Sequence, residues 1–188
     1  MKRFAFLTII ALVLSVTASA QRQPGQANTD DSTIYTSLQL GFEIVFPSTV
    51  KAFDAKPDKA FNGHPFTNNT FLSQNTNGVY VVMVATFSDE RPGDAPEAAI
   101  NSVLASTIKN GAPGQTLVDV TRCSPKVTTP CKLAFIDVPA GSDHNAMRIV
   151  ELITVKNNRV YEVMFGGDVT PQPNFDEVTA FFDSLKIL

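Results

Sequence analysis

The fold is decided by AMRIVELITVKNNRVYEVMFGGDVTPQPNFDEVTAFFDSLKIL, residues 146–188. Two strand-like runs flank Asn157-Asn158, and asparagine tolerates the positive φ that tight hairpin turns require. Counting outward from that pair sets Val155 opposite Val160, Thr154 opposite Tyr161, Leu152 opposite Val163 and Val150 opposite Phe165. Side chains alternate along a strand, so Val150, Leu152, Thr154, Tyr161, Val163 and Phe165 share one face, which should be core. Ile149, Glu151, Ile153, Val155, Val160, Glu162 and Met164 occupy the other, apolar enough to be covered in part but interrupted by two carboxylates. A layer on both sides of the hairpin is implied.

Part of that cover is expected from a helix over Phe175 to Ser184. Asn174 stands at the N-cap with Glu177 three residues on, a capping-box spacing, and Phe175, Val178, Phe181, Phe182 and Leu185 recur along one stripe. Burying such side chains contributes about 1.5–3 kcal/mol each before entropy is subtracted. A second helix is predicted from Asp94, as cap, to the Asn110-Gly111 stop, with Ile100, Val103, Leu104 and Ile108 as its apolar stripe.

Further strands follow from the same patterns. Phe42, Ile44 and Phe46 alternate with Glu43 and Val45 between Gly41 and Pro47. Lys51 to Pro65 reads as a polar loop, Phe66 to Leu72 as a polar strand, and Val79 to Phe87 as a central strand apolar on both faces. Leu117 to Cys123 and Cys131 to Val138 form another pair, and setting Cys123 opposite Cys131 places Thr121 opposite Leu133 and Asp119 opposite Phe135. Two cysteines in an exported chain are best joined as one disulfide, Cys123–Cys131, which would pin that hairpin.

Export is read from the first twenty residues. Lys2 and Arg3 precede an apolar run from Phe4 to Val16, and Ala18-Ser19-Ala20 offers a small-residue cleavage site, the pattern of a secretory signal peptide over 1–20. The run is shorter than the ~20 residues of a spanning helix. Gln21 to Thr33 has almost nothing to bury and is expected to be a flexible leader, so a single domain should occupy 34–188. Cleavage removes two of the 15 Lys and Arg against 18 Asp and Glu, and the formal net charge goes from −3 to −5. Nucleic acid is therefore not an expected partner, and no membrane span is expected after cleavage. The mature chain is placed in the periplasm or outside the cell.

Candidate chemistry is sparse. Ser142, Asp143 and His144 name the residues of a hydrolase triad, but sequence neighbours do not converge on one another, and a polar turn is the reading adopted. His64 and His144 with Asp137 or Asp143 lack the spacing of a zinc site and are read as surface histidines. Asn68-Asn69-Thr70 is a formal glycosylation sequon. Glu151 and Glu162 are diagonal neighbours about 5–8 Å apart, a spacing open to glycoside hydrolysis or a metal, or else a solvated strip. No catalytic, cofactor or metal residue is assigned, and no cofactor is expected.

LGFEIVFPS at residues 40–48, the Val79 to Phe87 strand, RVYEV at 159–163 and FFDSLK at 181–186 together resemble the PsbP-like family of exported domains, over about Ile34 to Leu188. The resemblance implies an α+β fold with a central antiparallel β-sheet flanked by helices, an α/β/α sandwich. It also implies a non-catalytic accessory or binding role, of the kind seen in extrinsic photosystem II proteins and a related Ran-binding protein. The expected function is thus an exported accessory or interaction module with a protein partner in the envelope or extracellular space. The alternatives are a small-ligand or metal carrier, or a hydrolase using Glu151 and Glu162.

Overall fold

The structure is a computed structural model that describes residues 32–61, 64–88, 96–123 and 127–188, with backbone alone for residues 54–61 and 64. The expected signal peptide over 1–20, nearly all of the expected leader and the Asp94 cap lie outside the described residues.

Ten strands and two helices follow one another in these residues: β1 (Thr33–Ser37), β2 (Phe42–Phe46), β3 (Val50–Phe61), β4 (His64–Gln74), β5 (Val79–Phe87), α1 (Pro96–Asn110), β6 (Thr116–Arg122), β7 (Cys131–Val138), β8 (Met147–Lys156), β9 (Arg159–Asp168), α2 (Phe175–Asp183) and β10 (Lys186–Ile187). Seven strands make one antiparallel sheet in the order β3-β4-β5-β9-β8-β7-β6, and β1-β2-β10 make a second. The β8-β9 hairpin lies in the middle of the large sheet. Its register is the one the Asn pair dictates, with Val155 opposite Val160, Leu152 opposite Val163 and Val150 opposite Phe165. Asn157 takes the positive φ, 56°, that the turn needs.

One face of the large sheet carries Tyr80, Val82, Val84, Val150, Leu152, Tyr161, Val163 and Phe165. Phe42, Ile44 and Phe46 of β2 and Val178, Phe181 and Phe182 of α2 pack on it. Phe181 is the keystone of this layer, its ring centroid 5.0 Å from Tyr80 and 5.5 Å from Phe46. On the opposite face α1 sets Ile100, Val103 and Leu104 against Ala134, Ile153, Val155 and Val160. The turn before β2 needs Gly41, whose φ is +72° and whose absent Cβ would stand 3.0 Å from Arg159 Nη1.

The expected α/β/α sandwich is not what forms. The chain is mostly antiparallel strand in two sheets, and its two helices do not form the outer layers of a sandwich: α1 lies alone on one face, and the other is closed by the small sheet together with α2. The layer over the Tyr80 face is therefore largely strand, because β2 presents three alternating aromatic and aliphatic side chains to it while Leu185 leads the chain from α2 directly into β10.

The polar loop expected over Lys51 to Pro65 is also corrected, since this stretch builds β3 and the start of β4. β3 is an edge strand that pairs with β4 alone, with register shifts between Phe53 and Lys56 and between Asp58 and Phe61. Such a strand buries little and accepts a proline such as Pro57, so the composition that signals a loop is also that of an edge. The polar strand at Phe66 to Leu72 and the apolar one at Val79 to Phe87 are β4 and β5.

Candidate functional site

Glu151 on β8 and Glu162 on β9 are placed by the hairpin register, Glu151 facing Met164 and Glu162 facing Ile153. Both point to the α1 face. Neither is a solvated strip: Glu151 has no exposed surface and Glu162 is 6% exposed. The helix supplies one polar contact, Thr107 Oγ1 donating to Glu151 Oε1 over 3.4 Å. The two carboxyl groups are within hydrogen-bonding reach of each other, while Oε2 of each has no partner among the described residues. Burial, opposed by hydrogen bonds from Glu162 and Thr107, pushes Glu151 up to about 7. Burial, and then the charge of Glu151, holds Glu162 well above the usual carboxylate range. Among the described residues this face offers the pair no open cleft of the kind glycoside hydrolysis requires, because α1 covers it.

A second polar centre was not foreseen in the sequence. Glu177, in the first turn of α2, accepts at Oε1 from Asn75 Nδ2 at 3.0 Å, from Asn77 Nδ2 at 3.0 Å and from the Tyr80 hydroxyl. The capping box is half formed: Asn174 Oδ1 accepts from the Asp176 N–H at 3.1 Å, but Glu177 turns to the β4-β5 turn instead of back to the cap. Asn77 Oδ1 takes the Asn174 N–H in its place, at 2.5 Å. Burial, reinforced by the Glu177 hydrogen bond, pushes the Tyr80 phenol well above its ordinary value. The Asn-rich run at 75–78 was the available signal. It reads equally as a turn, and nothing in the sequence pairs it with residue 177.

The remaining sequence-predicted residues are not brought together. Gly141 to Asn145 and Asp168 line an open depression of about 340 Å³, in which His144 Nδ1 lies 2.8 Å from the Asn145 carbonyl and Nε2 lies 3.8 Å from Asp143. Asp137 is held in a bidentate pair by Arg148, at 2.7 and 2.9 Å, and this contact lowers its carboxyl below the usual range. His64 opens β4, with β5, β9 and β8 between it and β7. Among the described residues no three His, Cys, Asp or Glu are grouped to hold a metal. The sequon residue Asn68 sits within β4, paired to both neighbours, with its amide on Met83 Sδ.

Cys123 and Cys131 form the expected disulfide, their Cα atoms 5.9 Å apart, at the end of the β6-β7 pair whose register sets Thr121 opposite Leu133 and Asp119 opposite Phe135. No described helix is long and apolar enough to cross a membrane.

The solution structure of cyanobacterial PsbP (CyanoP) from Synechocystis sp. PCC 6803 matches with a TM-score of 0.55 and 14% identity, over 89% of this chain and 99% of that one. The chain has a PsbP-like fold. At that identity the likeness is one of architecture. A crystal structure from Bacteroides thetaiotaomicron VPI-5482 (TM-score 0.48, 13% identity, 85% of this chain and 49% of that one) and one of a protein of unknown function from Pseudomonas aeruginosa (0.44, 13%, 79% and 91%) are more distant. No family model and no curated protein matches the chain. Within this PsbP-like fold, the acid pair lies under α1 and the Glu177 centre lies at the opposite layer, where α2 meets the β4-β5 turn.

Proposed function

We propose that this protein is an exported, non-catalytic accessory module that binds another protein in the envelope or extracellular space. The observation that carries the reading is β6, an edge strand exposed at every position but Val120, with Leu117 and Val118 at 41% and 53% exposure. Among the described residues β6 has β7 as its one strand neighbour, so backbone donors and acceptors along its other side are open to pairing, and aliphatic side chains beside them favour an added strand or a packed partner surface. The disulfide beside β6 fits an oxidising compartment and holds that edge to β7. The signal-like first twenty residues supply the route.

A photo-crosslinking residue at position 118, introduced in the secreting host, tests this, with position 143 in the polar β7-β8 turn as control. The expected result is one protein captured from 118 and absent from 143, and lost from a neighbouring 117 probe when Val118→Asp is introduced without change in melting temperature. Equal capture from both positions, or none from 118, overturns the reading.

A further inference from the structure

The strongest unexplained feature is the pair of carboxyl groups sealed beneath α1. Among the described residues, the elements packed around it offer it no cation. α1 turns Ala99, Ile100, Val103, Leu104 and Thr107 inward, with Lys109 exposed. β5 contributes Met83 and β4 contributes Asn68, whose Oδ1 is itself buried without a partner. β7 contributes Ala134 beside Glu151, and Lys132 further along directs its ammonium to Asn101 Oδ1 at the exposed rim, 2.5 Å away. β6 adds Val120, and Arg122 stays exposed opposite Lys132. Ile149, Ile153, Val155, Val160 and Met164 complete the surround on the hairpin itself. Within this apolar surround Thr107, from α1, is the donor that the structure sets against the pair.

Two carboxylates at this separation do not both ionise without a counter-charge, since desolvation and mutual repulsion act in the same direction. A single proton held between them satisfies one lone pair of the partner and leaves the site at one negative charge. Loss of that proton to solvent leaves two buried anions facing one weak hydroxyl donor. The strands carrying them are fixed by pairing on both sides in the middle of the large sheet. The helix is the movable wall, because it rests on the sheet by side-chain packing and carries no ladder hydrogen bonds.

We infer that Glu151 and Glu162 share one proton that keeps α1 seated on the sheet, and that its departure as the pH rises releases α1 locally while the rest of the fold stays closed. Water reaching the pair would then hydrate both carboxylates. The feature is a proton-operated latch, and the apolar stripe of α1 and the sheet beneath it are what it exposes.

Amide hydrogen exchange of the full chain between pH 5.5 and 9, corrected for the intrinsic pH dependence of exchange, tests the latch. Protection of α1 amides is expected to fall about tenfold across this range, with β9 amides unchanged, and Glu162→Gln is expected to abolish the fall. Constant α1 protection, a parallel loss in β9, or an undiminished fall in Glu162→Gln overturns it. Should that variant fail to fold, the carboxyl carbon resonances of the unaltered protein decide: two separated titration steps support the shared proton, and a single step in the ordinary carboxylate range overturns it.

Discussion

Tyr80 on β5 donates its hydroxyl to Glu177 on α2, and through that bond and those of Asn75 and Asn77 one carboxylate oxygen joins the β4-β5 turn to the helix that closes the Tyr80 face. The ring of Tyr80 is fully buried and packs on Phe165 and Phe181. The contact thus serves packing with its ring and orientation with its hydroxyl.

Removing that hydroxyl leaves Glu177 with its two amide donors, and costs this bond together with the one the hydroxyl accepts from Asn77 Nδ2 at 2.8 Å. Tyr80→Phe is expected to lower stability in urea denaturation by about 1–2 kcal/mol, and Glu177→Ala, which takes the acceptor from Asn75 Nδ2 and the Tyr80 hydroxyl while Asn77 Nδ2 keeps the Tyr80 oxygen and the Asn174 carbonyl, by more. Equal, negligible losses from both would show that the centre contributes nothing.

Tyr35, Tyr80 and Tyr161 are all held above the ordinary phenol value, chiefly by burial. A raised value in the folded state means the folded chain keeps these protons longer than the unfolded one, so stability is full below about pH 10 and falls above it. Absorbance titration near 295 nm is expected to show little phenolate at pH 10 and a rise coincident with alkaline unfolding.

The acid pair gives a pH dependence in a lower window. Both folded-state values lie above the ordinary carboxylate range, so the pair costs nothing below it and destabilises the fold as the pH rises through about 7 and beyond. Melting temperature is expected to fall from pH 5 to pH 8, and Glu151→Gln is expected to raise it more at pH 8 than at pH 5. A variant with the same offset at both values would contradict the assignment.

Phe181 touches Phe46, Tyr80 and Phe182, and so meets β2, β5 and its own helix. Phe181→Ala is expected to cost about 3–5 kcal/mol, and Phe181→Asp to leave the protein unfolded or aggregated. Circular dichroism and light scattering check both. An unchanged melting temperature in the aspartate variant would refute the docking of α2.

The Cys123–Cys131 ring is short, eight positions apart in sequence, and joins strands already paired. Reduction is expected to lower stability by about 2–3 kcal/mol in the chain-entropy account and to leave the far-ultraviolet spectrum unchanged. Loss of β-structure on reduction would mean the disulfide creates the fold.

The β8-β9 register was legible because a two-residue Asn turn fixes the offset of every later pair, and a period of two then assigns every face. The β6-β7 register was legible for a similar reason, once the cysteines were set opposite each other. β3 was not, since an edge strand that accepts a proline and carries lysines and aspartates has the composition of a loop. The layer over the Tyr80 face was misread because β10 has two residues, too few to show a period, and pairs with β2 from the far end of the described chain, while β1 shows its partner only once β2 is placed beside it.

The candidate site divides in the same way. Placing Glu151 and Glu162 together followed from local register, but whether that face met water depended on where α1 settled, and an apolar stripe says that a helix docks without saying on which face. Glu177 shows a local pattern overridden. Its spacing from Asn174 is that of a capping box, yet donors about a hundred residues away in sequence hold it.

β2 obtains its second neighbour only from β10, and Lys186 reaches back across 143 positions to Glu43. Synthesis is vectorial, so a chain emerging from a ribosome exposes β2 long before its partner exists. The small sheet cannot close until residues 186–187 have been made, and Phe42, Ile44 and Phe46 wait likewise for Val178, Phe181 and Phe182 of α2, which share their layer. A chain built this way completes its second sheet only after every strand of the large sheet has been made.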